Sequence, residues 1–297
     1  MRALEGLRGI SVSLNKCGIE EPYKEAVTIV SEVMGLEKVS LYRDNPLLSS
    51  EQEAEIREAV ERRWRGEPLQ YIIGFVDFCG LKIKVGPGVL IPRPESELIV
   101  EKAIKTVDGL RSRVPCEGSE DIRRPTGDRG LRILDLCTGS GCLALALARG
   151  IPESYVFGTD ISEEALDYAV MNAEINGIIN AVFVKGDLYE PLDCLRFDLV
   201  VSNPPYIRKG EIADLAPEIR EWEPVSALDG GEDGIFFYRS ILDGARDHLA
   251  EEGSLILEMG HDEAGDVTHI AHEAGFRTVS LVKDYAGIER VLHLKMA

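Results

Sequence analysis

No pair of cysteines in this sequence stands at C-x-x-C spacing; Cys17, Cys79, Cys116, Cys137, Cys142 and Cys194 are scattered singly. That pattern speaks against a zinc cage or a disulfide framework and fits a reducing compartment. His269 and His272 share a helix face without a third ligand at metal spacing, so no metal is expected. Basic residues are in short supply, 33 Lys and Arg against 52 Asp and Glu, a formal charge of -19. A protein that grips phosphate backbones carries the opposite balance. No stretch approaches eighteen uncharged apolar residues, so no membrane span is expected. Met1 to Asn15, charged at Arg2, Glu5 and Arg8, lacks the apolar run of a signal peptide. These absences lead us to expect a soluble, cytoplasmic protein.

What is present is ordinary for a folded chain: 44% hydrophobic and 29% charged residues. A length of 297 residues favours a principal domain plus a smaller one. Between Pro22 and Arg65 apolar residues recur at helical spacing, at Ala26, Val27, Val30, Val33 and Met34, then at Ile56, Ala59, Val60 and Trp64. Ser49 or Ser50 ahead of Glu53 reads as a helix cap. We therefore expect a helical domain over 1–67, whose net charge is only -3. Tyr71–Val85 turns aromatic and β-branched with alternation from Leu81, which predicts a β-hairpin linker within 68–93. Pro94 and the acids Glu95 and Glu97 suit the start of a helix. Asp108–Gly130 is polar, rich in Gly and Pro, and reads as a mobile insertion.

From Leu131 the chain alternates strands and helices. Strands are expected at 132–136, 155–159, 181–185, 197–202, 254–258, 276–281 and 290–294, and helices at 142–149, 163–176, 235–249 and 263–274. Such alternation predicts an α/β domain over 94–297 with a mostly parallel sheet covered on both faces. Within it, Asp135-Leu136-Cys137-Thr138-Gly139-Ser140-Gly141 places a turn of small residues between a buried strand and a helix, where a ligand can approach the backbone. Asp160 ends the next strand, where a carboxylate can accept both hydroxyls of a ribose. Asp187 follows the third strand and could lie beside an adenine edge. Val200-Val201-Ser202-Asn203-Pro204-Pro205-Tyr206 then pins a stiff loop beyond a strand's carboxyl end. The Asn203 amide oxygen and the Pro204 carbonyl offer two acceptors to a planar NH2 group, and Tyr206 a ring to cover its flat face.

Asn203-Pro204-Pro205-Tyr206 resembles the signature of S-adenosylmethionine enzymes that methylate a planar amide or exocyclic amine nitrogen. Four further strings narrow the resemblance: Glu67–Gly74, Val89–Glu97, Asp160–Leu166 and Ala227–Gly234. Together they are similar to the HemK/PrmC family of peptide chain release factor glutamine methyltransferases, from about Pro22 to Leu294. The resemblance implies a Rossmann-like, seven-stranded class I methyltransferase domain and a helical substrate-docking domain. It also implies S-adenosylmethionine as cofactor and a class 1 release factor as protein partner, methylated on the glutamine of its Gly-Gly-Gln loop. We expect a monomer without direct contact to nucleic acid or membrane.

On that basis the cofactor falls to Asp135, Cys137, Thr138, Gly139, Ser140, Gly141, Asp160, Ile161, Asp187, Leu188 and Asn203, and catalysis to Asn203, Pro204, Pro205 and Tyr206. Three positions depart from the family pattern. Cys137 replaces a usual glycine, which suggests that no positive φ is needed there. Ser96 replaces threonine, and Glu263 stands where glutamine is common. The paired bases Arg123-Arg124 and Arg208-Lys209 are short spots on an acidic chain, and Glu218, Glu221 and Glu223 read as solvated acids flanking Trp222. Two other readings stay open: a DNA or RNA amino-methyltransferase using the same loop, and a cofactor-binding module without catalysis.

Overall fold

Pro22 fixes the first turn of one helix and Gly35, at φ 61, closes it; that punctuation sets the pattern of the first of two units in the computed structural model. The structure describes residues 1–111, 130–193 and 195–297. The first unit comprises Met1–Phe75 and Ala216–Trp222. It holds α1 (Ala3–Lys16), α2 (Pro22–Met34), α3 (Lys38–Asp44), α4 (Ser50–Trp64) and α5 (Leu69–Ile73). Leu7, Leu14, Ile29, Val30, Leu41, Ile56 and Val60 fill its core. Trp64 stays half exposed. The cap of α4 is Ser49, whose hydroxyl accepts from Gln52 N–H at 3.1 Å while Gln52 returns a bond to Ser49 N–H at 3.0 Å. Arg63 is buried and paired with both Glu25 and Glu218, each at 2.8 Å.

The second unit, Val76–Leu215 and Glu223–Ala297, opens on the hairpin β1 (Phe75–Phe78) and β2 (Leu81–Lys84). Cys79 and Gly80 form its turn at φ 47 and 72, the doubly positive geometry that matches strand twist. The hairpin is shorter than the aromatic run suggested, because Tyr71 to Ile73 belong to α5, which Gly74 ends. A 3-10 turn at Pro94–Ser96 leads into α6 (Glu97–Arg111). Helix thus continues through 108–111, the first part of the expected insertion; its remainder, with Arg123 and Arg124, lies outside the described residues.

Then follow β3 (Arg132–Leu136), α7 (Cys142–Gly150), β4 (Tyr155–Asp160), α8 (Glu163–Asn176), β5 (Ala181–Lys185) and β6 (Phe197–Ser202). The chain contributes α9 (Pro217–Arg220) to the first unit and returns through α10 (Phe236–His248), β7 (Leu249–Glu258), α11 (Ala264–Glu273), β8 (Phe276–Lys283) and β9 (Glu289–Met296). The sheet order is β5-β4-β3-β6-β7-β9-β8, parallel except for β9. β3 and β6 are neighbours although β4 and β5 come between them in sequence, so the strand order reverses at β3 and opens a crevice at the carboxyl ends of both. Asn172 and Asn176 on α8 extend the hairpin's outer edge: their amides exchange hydrogen bonds with the backbone of Lys84 and Lys82. Asn172 also donates to the Ser140 carbonyl at 3.0 Å, tying hairpin, helix and crevice together.

Candidate active site

The turn after β3 is held open by its own strand. Asp135 is fully buried; its Oδ2 accepts from the Thr138 hydroxyl at 2.6 Å and from Ala144 N–H at 3.1 Å. Burial pushes the Asp135 carboxyl up to about 7. Gly139, at φ 54, has open space where a side chain would stand and donates its N–H to Asp160 Oδ2 at 2.8 Å. Asp160 Oδ1 takes Ser162 N–H at 2.9 Å, and the Ile161 backbone also donates to this carboxylate. Burial raises its carboxyl pKa despite these bonds. Cys137 has φ 57, so this position does use the left-handed backbone region that the missing glycine would have served.

Opposite, the loop after β6 carries Asn203. Its Nδ2 donates to Ser96 Oγ at 3.1 Å, and the Ser96 hydroxyl donates to Glu258 Oε2 at 2.6 Å. Burial pushes the Glu258 carboxyl up to about 7. The loop is stitched to a second one: Ile207 N–H donates to Leu228 O and Gly230 N–H to Ile207 O. A side chain at Gly230 would come within 2.7 Å of the Tyr206 backbone, so the two loops lie too close for any residue but glycine.

These loops enclose a cavity of about 400 Å³ lined by Cys137, Thr138, Gly139, Ser140, Asp160, Ile161, Asp187, Leu188, Asn203 and Pro205 among others. That is within the range of small-molecule sites. Sequence comparison agrees with the geometry. The chain matches the family model of the PrmC N-terminal domain over residues 5–74 and that of a methyltransferase domain over residues 127–274. It is 43% identical to a release factor glutamine methyltransferase of Thermodesulfovibrio yellowstonii over 99% of this chain and 98% of that one. The enzyme of the same name from Geobacter sulfurreducens is 40% identical, with 98% and 94% covered. The chain belongs to the release factor glutamine methyltransferase family. A methyltransferase structure from Pyrococcus furiosus, 22% identical, has a TM-score of 0.50 over 83% of this chain and 98% of that one, a likeness of fold alone.

In this member of the family several expected site residues stand back from the cavity wall. Asp135 braces the turn from beneath, and Gly141 caps α7, where a side chain would meet Ala169 and Phe183 at 3.0 Å. The Pro204 side chain is buried, and Tyr206 packs against the core beneath the sheet's carboxyl end, where burial pushes its hydroxyl up to about 12. Tyr206 is not among the residues of the cavity wall. The aromatic residues on that wall are Phe236 and Phe237, packed edge to face at 5.3 Å, and Phe236 is 56% exposed.

Other wall residues come from Gly88, Val89, Leu90, Pro92 and Ser96, and from Pro224, Ser226, Ala227 and Asp229. Both segments overlap strings that carry the family resemblance, Val89–Glu97 and Ala227–Gly234, but nothing in their spacing marks a wall. Glu223 is buried rather than solvated, holding Arg93 and the Ile91 N–H. Arg208 pairs with Asp262 and Glu211 at 3.1 Å, and Lys209 with Glu232 at 3.7 Å. Glu263 accepts from Gly260 N–H and lies 3.2 Å from the Tyr238 hydroxyl, and burial pushes it up to about 7.

The residues present fit S-adenosylmethionine. The Thr159 hydroxyl is buried at the cavity with no partner among the described residues, the Asp160 carboxylate stands on the cavity wall, and Gly139 leaves its backbone face open.

Proposed function

We propose that this chain methylates the side-chain amide nitrogen of the glutamine in the Gly-Gly-Gln loop of class 1 release factors, acting as a cytoplasmic monomer on a protein rather than on nucleic acid. S-adenosylmethionine, when bound, supplies an activated methyl group on a sulfonium. Asp160 would hold its ribose, Ile161, Asp187 and Leu188 its base, and the backbone of Cys137 to Ser140 the remainder. An amide nitrogen is a poor nucleophile because its lone pair is delocalised into the carbonyl. Asn203 Oδ1 and the Pro204 carbonyl would take its two N–H bonds, favour rehybridisation, and turn the lone pair toward the cofactor side of the cavity. Pro205 stiffens the loop that holds both acceptors. Orientation of this kind contributes about 7–11 kcal/mol when reacting atoms sit about 3–3.5 Å apart.

The observation that carries the reading is Asn203, on the wall of the cavity that Asp160 also lines, with its NH2 already committed to Ser96 and its oxygen left for a donor. The test is transfer of tritiated methyl to intact release factor, DNA and tRNA. We expect label in release factor alone and a fall of at least about 100-fold in Asn203→Ala, by loss of an orienting acceptor. Comparable labelling of DNA or tRNA would overturn the substrate. Near-normal turnover of Asn203→Ala would overturn the amide-orienting mechanism.

A further inference from the structure

Ser96 and Glu258 take no part in the assignments above, yet both are buried to 2% exposure beside Asn203. Ser96 ends the turn ahead of α6, and Glu258 ends β7. A carboxylate accepts hydrogen bonds and cannot donate them. Ser96 has one proton, given to Glu258 at 2.6 Å, so it meets Asn203 with a lone pair. Only the NH2 end of the Asn203 amide can approach it, at 3.1 Å.

We infer that Ser96 and Glu258 are positioning residues that fix which end of the Asn203 amide faces the substrate, keeping Oδ1 toward the cavity as an acceptor. The inference rests on the proposed role of Asn203. Without this chain the amide has two orientations of similar shape, and one presents an NH2 group to the NH2 group of a glutamine.

The relay has a condition built into it. If Glu258 takes up a proton it can donate to Ser96, Ser96 can then donate to Asn203, and the amide turns its oxygen inward, away from the substrate. Several groups bear on that proton. Arg290 and Arg93 favour the charged form. Glu95 opposes it, while Tyr206, Tyr238 and Glu263 lie near, the Tyr238 hydroxyl donating to the Glu258 carbonyl at 2.9 Å. Burial is the largest influence and sets the carboxyl at about 7, so the orienting state gains population as pH rises through neutrality.

The experiment measures kcat, KM and cofactor Kd of the full chain on intact release factor across about pH 5.5–8.5, with thermal melts as the folding control. Ser96→Ala should lower kcat about tenfold with KM and cofactor Kd within about twofold, and Ser96→Thr, which keeps the hydroxyl, should restore it. Glu258→Gln keeps an acceptor for Ser96 and cannot titrate, so it guards against a variant that fails to fold. In the wild type kcat should climb with a midpoint near 7, and in Glu258→Gln that limb should vanish. Wild-type kcat in Ser96→Ala, or an unchanged acidic limb in Glu258→Gln, would overturn the inference. If Asn203→Ala also retains activity, the reading of Asn203 itself has failed; if Asn203→Ala is inactive, only the relay has.

Discussion

Cys137 carries a side chain at φ 57, in a backbone region that costs an ordinary L-residue about 1–2 kcal/mol. The strain sits in the turn whose neighbours form the cofactor wall. Cys137→Gly should therefore stabilise the protein by about 1 kcal/mol, the relief being partly offset by the greater freedom of glycine in the unfolded chain. Denaturant unfolding of the two proteins checks this, and a loss of stability would mean that the contacts of the half-buried side chain outweigh the strain. His293, on β9, makes the opposite kind of demand. It is buried with both ring nitrogens unpartnered among the described residues, and burial, with Lys102, Lys295 and Arg277 adding to it, pushes its pKa down to about 4. The fold thus binds the neutral ring. Its contribution is whole above the unfolded value near 6.5 and is lost as pH falls from there to about 4, a change of up to about 3 kcal/mol. His293→Leu should flatten the slope of stability against pH in that window; an unchanged slope would assign it to other groups.

At the scale of elements, the wall formed by Gly88 to Pro92 is a loop held by one carboxylate. Glu223 accepts the Ile91 N–H at 3.0 Å and the Arg93 guanidinium, from a position where it is nearly inaccessible to water. Glu223→Ala strands a buried N–H and an arginine, which should cost about 2–4 kcal/mol and weaken cofactor binding through the loosened wall. Thermal melts and calorimetry check both, and an unchanged cofactor affinity would show that the wall holds without it. Glu223 also marks where the sequence stops being legible. Glu218, Glu221 and Glu223 look alike in the chain, yet the first pairs with Arg63, the second is exposed and the third is buried, and no periodicity separates them. The parallel strands were legible because their runs of Val, Leu and Ile are buried on both faces, as in Leu199-Val200-Val201. α1 was not, since Gly6 and Gly9 weaken its helical signal. Tyr71 to Ile73 read as strand by composition but fold as α5, where Pro68 precedes the helix and Gly74 closes it. In the site, Asp160 and Asn203 were legible from their places at strand ends. The inward packing of Tyr206 and the Ser96–Glu258 chain depend on contacts between segments 107 and 162 residues apart.

Over the whole molecule, charge and chemistry are divided unequally. The first 67 residues carry a net charge of -3, leaving -16 for the rest, and every residue of the cavity belongs to the second unit. The proposed cofactor wall thus draws its residues from the second unit, and the proposed role of the helical unit is to receive the protein substrate. Removing residues 1–67 tests this. Cofactor affinity should persist, because the turn after β3, Asp160 and the loop after β6 are all retained. Methylation of intact release factor should fall by at least about tenfold, while methylation of a short Gly-Gly-Gln peptide, which has no second surface to dock, should be little changed. The deletion also strips Glu218 of its partner Arg63 and leaves Ala216–Trp222 without most of its unit, so solubility and cofactor binding must be measured before rates are compared. A truncated chain that binds cofactor and methylates intact release factor at the full-length rate would refute the docking role. A parallel loss on protein and peptide would instead assign the helical unit to support of the catalytic loops.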